Sequence, residues 1–239
     1  MPQASQNANV DPAEIDKFDR SAHQFWDTEG PFRGLHAMNA ARMEFIQRHE
    51  NLSNRRALDV GCGGGLLAES LRRRNATVVG IDLSIAMVEV ARLHAAQAGL
   101  AIDYQRISAT DLASSHPAHF DIVCCMELLE HVPDPEQLLL TLGQLLAPGG
   151  SLFVSTINRN PKSFALAVVA AEYVLGLVPR GTHDYRRFIK PSELARAARK
   201  TGLEISAVAG LTFNPLTMQC ALGEDIDINY IAALRLQDS

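Results

Sequence analysis

The chain has 239 residues, 47% of them hydrophobic, which is enough to bury one full α/β core. Its 22 basic and 27 acidic residues leave a net charge of −5, so no broad basic surface is available to a phosphate backbone and nucleic acid is not the expected partner. The four cysteines, Cys62, Cys124, Cys125 and Cys220, form no C-x-x-C pair, and three lie in apolar stretches. They read as reduced thiols acting as small core hydrophobes in a cytoplasmic protein.

Residues 1–10 are polar and lack both a basic run and an apolar one, which predicts a disordered start with no export or transit signal. A single domain is expected from residue 11 onward. Asp11-Pro12 starts a helical stretch at 12–27, a second follows at 36–50, and Phe18, Phe25 and Trp26 supply their apolar anchors. Together, residues 11–50 should form a lid or flank. The chain then alternates strand and helix: strands at 56–60, 77–82, 102–107 and 120–126, helices at 66–74 and 84–98, and Gly99 as a stop. Asp134-Pro135 opens a helix to 146, and the turn APGG at 147–150 leads into a strand SLFVSTI. An apolar helix at about 163–178 sits within an insertion spanning about 160–190. A helix after Pro191 and two strands near 203–209 and 228–236 complete a mostly parallel, Rossmann-like sheet of seven strands with helices on both faces.

The run RALDVGCGGGLL, from Arg56 to Leu67, is a strand that breaks into a glycine-rich turn and then a helix. Gly61, Gly63 and Gly65 let the backbone approach a ligand and supply the positive φ that such a turn needs. A nicotinamide fingerprint requires a small residue where this chain has Leu66, so a dinucleotide is disfavoured. Asp59, two residues before the first glycine, suits a cationic amino-acid tail and repels a diphosphate. Asp82 closes the next strand, where a carboxylate can accept both ribose hydroxyls. The pattern D-x-G-x-G-x-G resembles the first motif of the class I S-adenosylmethionine-dependent methyltransferases. In SATDL, Asp111 either caps a helix or reaches the adenine amino group.

The segment CMELLEHVPDP, from Cys125 to Pro135, places Glu127, Glu130 and His131 at i, i+3 and i+4. If the turn is helical they share one face, either a solvated one or one able to give a divalent metal two oxygens and a nitrogen. This segment, the string STINRNPKSFALAVVAAEYVLGLVPRGTHDYRRFIKPSEL at 155–194, and the late FNPLT and DINYIAAL are similar to the ubiquinone biosynthesis O-methyltransferase family. The resemblance implies cofactor contacts at Arg42, Gly61, Asp82 and Met126, alongside Asp59 and Gly63 of the loop, and a magnesium site at Glu127, Glu130 and His131. A guanidinium at Arg42 can pair with the cofactor's methionine carboxylate. Catalytic groups beyond these are not identified by pattern. His183, in GTHDYRRF, is a candidate contact to the acceptor.

The same resemblance implies methylation of a polyprenyl catechol, 2-polyprenyl-6-hydroxyphenol, and of 3-demethylubiquinol, together with association with other proteins of ubiquinone biosynthesis. The other readings are an O- or C-methyltransferase for a different aromatic or lipid acceptor, or a nonenzymatic module that binds S-adenosylmethionine. A lipid-borne substrate calls for membrane access. The apolar stretch at 163–178 would make a helix of about 24 Å at 1.5 Å per residue, too short to span a bilayer. It is flanked by Arg159, Lys162, Arg180, Arg186, Arg187 and Lys190, a pattern expected of peripheral contact with an anionic membrane surface on the cytoplasmic side. A core or lid helix has the same composition.

Overall fold

The computed structural model describes residues 9–165, 184–214 and 217–237. Helix α1 (Pro12–Ser21) starts where Pro12 occupies the first turn and the Asp11 side chain accepts from the Ala13 amide; a 3-10 turn over Ala22–Gln24 and helix α2 (Arg33–His49) follow. The first helix thus ends earlier than expected, and the second begins earlier. Strands β1 (Arg56–Val60), β2 (Thr77–Asp82), β3 (Asp103–Arg106) and β4 (Phe120–Met126) alternate with helices α3 (Leu66–Arg72), α4 (Ile85–Gln97) and α5 (Ala109–Ser115). Helix α6 (Pro135–Leu145), capped by Asp134, leads into β5 (Leu146–Ile157). Then come the short α7 (Pro161–Ser163), α8 (Pro191–Lys200), and strands β6 (Leu203–Asn214), β7 (Gln219–Gly223) and β8 (Asn229–Leu236).

The strands form one sheet in the order β3-β2-β1-β4-β5-β8-β6-β7, parallel from β3 to β5 and antiparallel beyond. It has eight strands rather than seven. The additional strand, β7, pairs only with β6 at the edge, and its sequence QCALG contains no β-branched residue to signal a strand. Strands β1, β4 and β5 are buried on both faces, as a parallel sheet covered by crossover helices requires. Met43, Phe45 and Ile46 of α2 pack with Leu71 and Val88 on one face, and Leu112, Leu139, Leu142 and Leu194 pack on the other. Cys62, Cys124 and Cys125 are free and buried within this core, and burial pushes their thiols well above the ordinary range.

The lid is pinned directly to the glycine loop. Phe25 is buried against it, and Trp26 Nε1 donates to the Gly64 carbonyl at 3.0 Å while its ring stacks on His94 at 3.4 Å. His94 Nδ1 lies 2.6 Å from Glu69 Oε1, so the lid, α3 and α4 close on one another. At Gly65, φ is +93°, and a Cβ would fall 2.2 Å from the Tyr104 hydroxyl, so glycine is the only residue that fits between the loop and β3. Of the disordered start expected at 1–10, residues 1–8 lie outside the described residues, as does most of the apolar helix with His183, while Asn9 is held by hydrogen bonds with Asp134.

Candidate active site

The strand order reverses between β1 and β4, so crossovers on either side leave the sheet in opposite directions and open a crevice at its carboxyl edge. A cavity of about 560 Å³ occupies this crevice. Among its walls are Arg42, Asp59, Gly61, Gly63, Asp82 and Met126, so the geometry brings all six expected cofactor residues together. Gly61 and Gly63 turn the backbone through φ of +70° and +51°. Asp82 Oδ2 accepts from the Gly63 amide at 2.9 Å and Oδ1 from the Ser84 amide at 2.8 Å, which fixes the carboxylate while leaving each oxygen a lone pair for a ribose hydroxyl. Burial raises its pKa against these bonds.

Asp59 is buried, and its carboxylate accepts from the Ala68 amide in the first turn of α3, yet Oδ2 has no partner. Desolvation pushes this carboxyl up to about 7. Arg42 is 4% exposed and its Nη2 pairs with Glu127 Oε2, while Nε also lacks a partner. A buried acceptor and a buried donor left open in one cavity are the complement of an ammonium and a carboxylate, the two charges of the cofactor's amino acid. The residues present therefore fit S-adenosylmethionine. Asp111 neither lines the cavity nor caps the helix: Ser108 is the N-cap of α5, its Oγ accepting from the Asp111 amide at 3.1 Å and donating to the Asp111 carboxylate at 2.7 Å.

Glu127, Glu130 and His131 all line the cavity, but they do not share a helical face. Glu127 leaves β4 with φ of +46°, and only Leu129–His131 forms a 3-10 turn, so the i, i+3, i+4 spacing has no α-helix on which to act. Their side chains consequently diverge. Glu127 accepts from Ser155 Oγ at 2.7 Å and pairs with Arg42; Glu130 Oε2 accepts from Thr156 Oγ1 at 2.8 Å; His131 Nδ1 lies 2.8 Å from Glu14 Oε2. No three His, Cys, Asp or Glu side chains among the described residues are grouped to hold a metal ion. The expected magnesium triad is therefore not a ligand set in this structure.

The acceptor side holds residues that spacing did not reveal. Asn229, at the start of β8, has a buried Oδ1 with no partner, and Glu14 of the lid orients His131, on which the Phe18 ring sits edge-on at 5.6 Å. The hydrogen bond from His131 holds the Glu14 carboxyl below its usual range. These contacts join residues over a hundred positions apart, beyond the reach of any local pattern.

A family model described as a methyltransferase domain matches residues 33–208. A ubiquinone biosynthesis O-methyltransferase from Azoarcus sp. is 52% identical over 96% of this chain and 98% of its own, and another from Chromobacterium violaceum is 50% identical over 97% and 100%. The chain belongs to the ubiquinone biosynthesis O-methyltransferase family. Solved structures agree on the fold. A magnesium protoporphyrin IX methyltransferase from Synechocystis with bound S-adenosylhomocysteine superposes with a TM-score of 0.69 at 18% identity, covering 93% of this chain and 95% of that one. An S-adenosylmethionine-dependent methyltransferase from Thermotoga maritima gives 0.67 at 19% identity, over 94% and 100%.

The raised pKa of Asp59 makes the stability of the fold depend on pH. A carboxyl with a raised folded-state pKa holds its proton more tightly folded than unfolded, so its contribution to stability is full below about pH 4 and is lost as pH rises through about 7. Asp82 and Glu130, also raised by burial, act in the same direction. In Asp59→Asn the melting temperature of the cofactor-free protein should fall less between about pH 5 and about pH 8 than in the wild type, while S-adenosylhomocysteine should bind about tenfold more weakly at the higher pH. Calorimetry checks both; an unchanged pH slope together with unchanged affinity would contradict this role.

Proposed function

We propose that the chain transfers the methyl group of S-adenosylmethionine to a phenolic oxygen of a ubiquinone precursor in the cavity at the carboxyl edge of the sheet. One observation supports the placement above all: among the buried polar atoms of the described residues without a hydrogen-bond partner, four, Asp59 Oδ2, Arg42 Nε, Glu130 Oε1 and Asn229 Oδ1, belong to residues of this one cavity, while Asn39 Oδ1 lies outside it. In this reading Asp59 receives the ammonium, Arg42 the carboxylate and Asp82 the ribose, while Gly61, Gly63 and Met126 line the path between them. The bound cofactor supplies a sulfonium-activated methyl. Ile15, Phe18, Leu35, Met38, Leu211 and Phe213 also line the cavity and suit an aromatic ring bearing a prenyl chain.

A free phenol has a pKa near 10, so only about one molecule in a thousand is ionised at pH 7, and its proton must leave as the oxygen is methylated. His131 lines the cavity and, with Nδ1 held by Glu14, has Nε2 as its second nitrogen to take that proton, and Asn229 Oδ1 can accept from a neighbouring hydroxyl. The rest of the acceleration comes from holding two reactants in line in a dry cleft. No step is assigned to magnesium. We assign both 2-polyprenyl-6-hydroxyphenol and 3-demethylubiquinol as acceptors, since each presents a hydroxyl beside a second oxygen on a prenylated ring.

Access to a bilayer-borne acceptor is proposed through the apolar segment at 163–178 at the cytoplasmic face. No helix among the described residues is long and apolar enough to cross a membrane. Of its basic flank, Arg159 pairs with Glu193, Lys162 with Asp225 and Asp227, Arg186 with Asp184, and Arg187 with Asp11. Exposed pairs of this kind are weak and exchange readily for headgroup phosphates. Sedimentation with phosphatidylglycerol and phosphatidylcholine vesicles should recover more protein with the former; equal recovery would remove the electrostatic part of the proposal. For the activity itself, short-chain analogues of both acceptors should yield methylated product and S-adenosylhomocysteine. Tight cofactor binding without product from either would contradict the assignment.

A further inference from the structure

Glu127 is held on three sides. Its amide donates to the Ser155 carbonyl at 3.0 Å, Ser155 Oγ donates to Oε1 at 2.7 Å, and Oε2 pairs with Arg42 Nη2. The backbone adopts φ of +46° to allow this, a conformation uncommon outside glycine and one that persists only where the surroundings impose it. Both oxygens are thereby engaged. A divalent cation on the same carboxylate would lie beside a buried guanidinium and be repelled by it. The guanidinium itself needs a counter-charge, because it is 4% exposed and has no other carboxylate partner among the described residues.

Nη2 and Nε lie along one edge of the planar guanidinium. Glu127 occupies Nη2, and Nε stays without a partner. Arg42 is thus turned and neutralised by a fixed acid while one donor is left for a second oxygen. Met126, directly before Glu127, is tied into the same cluster, since Ser155 Oγ lies 3.1 Å from its sulfur. We infer that Glu127, anchored by Ser155, is a positioning residue that aims Arg42 at the carboxylate of the cofactor, and that it does not serve as a metal ligand. The inference rests on the reading of Arg42 as the carboxylate's partner.

Calorimetric titration with two nucleosides separates this role from the alternatives. S-Adenosylhomocysteine carries the amino-acid carboxylate; 5′-methylthioadenosine keeps the adenosine and thioether but lacks the amino acid. Glu127→Ala should weaken the first about tenfold and leave the second within about twofold, and Ser155→Ala, which keeps both charges but frees the acid, should weaken the first about threefold. Glu127→Gln, able to keep both hydrogen bonds, should lose less than Glu127→Ala. The same shifts should appear with magnesium and with a chelator, and the KM for S-adenosylmethionine should rise by a larger factor than kcat falls. Equal weakening of both nucleosides, no weakening of either, or a loss seen only with magnesium would overturn the inference. Should Glu127→Ala fail to fold, Ser155→Ala decides alone by the same comparison. If the wild type binds neither nucleoside, the cofactor assignment fails first, and the inference falls with it.

Discussion

The reversal of strand order between β1 and β4 determines where everything else must go. The crossovers from these neighbouring strands run to opposite faces and leave a gap above their carboxyl ends. The glycine loop fills one side of that gap, the turn after β4 fills the other, and the lid residues Phe25 and Trp26 close over the loop. A parallel sheet this deeply buried has few places where polar side chains can gather without cost. They gather at this edge, because it is where the backbone amides of loops and helix starts are free to bond them, as the Gly63, Ser84 and Ala68 amides do for Asp82 and Asp59.

Buried polar atoms in a folded protein nearly always have partners, so a cluster of them without partners implies a function. Asp59, Glu130 and Asn229 each leave one oxygen open, and Arg42 leaves one N–H. Asp59 and Arg42 oppose each other in charge as the two ends of an amino acid do. The cost of burying them is borne by the ligand-free fold, and the raised pKa of Asp59 records it. Glu127 reduces that cost at Arg42 without occupying Nε, which leaves the site neutralised enough to fold and still open to a second oxygen.

What could be read from sequence followed the range of the interactions involved. The glycine turn, Asp82 at a strand end and strands β1 to β4 are local patterns, and they appear within one or two residues of their expected positions, whereas β5 begins five residues early, at Leu146, and takes in the expected turn at 147–150. Glu127, Glu130 and His131 were grouped by a helical period that the chain does not adopt, since one residue at positive φ sends each side chain to a different partner. Asn229, Ser155 and Glu14 owe their roles to contacts across the sheet and lid, and no spacing rule could join them to the site. Strand β7 was missed for a different reason: a short edge strand without β-branched residues has almost no intrinsic signal.

A crystal structure with S-adenosylhomocysteine bound would test the central claim most directly. The ligand's carboxylate should lie within hydrogen-bond distance of Arg42 Nε while Glu127 still holds Nη2, its ammonium should reach Asp59 Oδ2, and both ribose hydroxyls should meet Asp82. An amino-acid tail turned away from Arg42 and Asp59, or a Glu127 displaced from Arg42 to hold a metal ion, would contradict it.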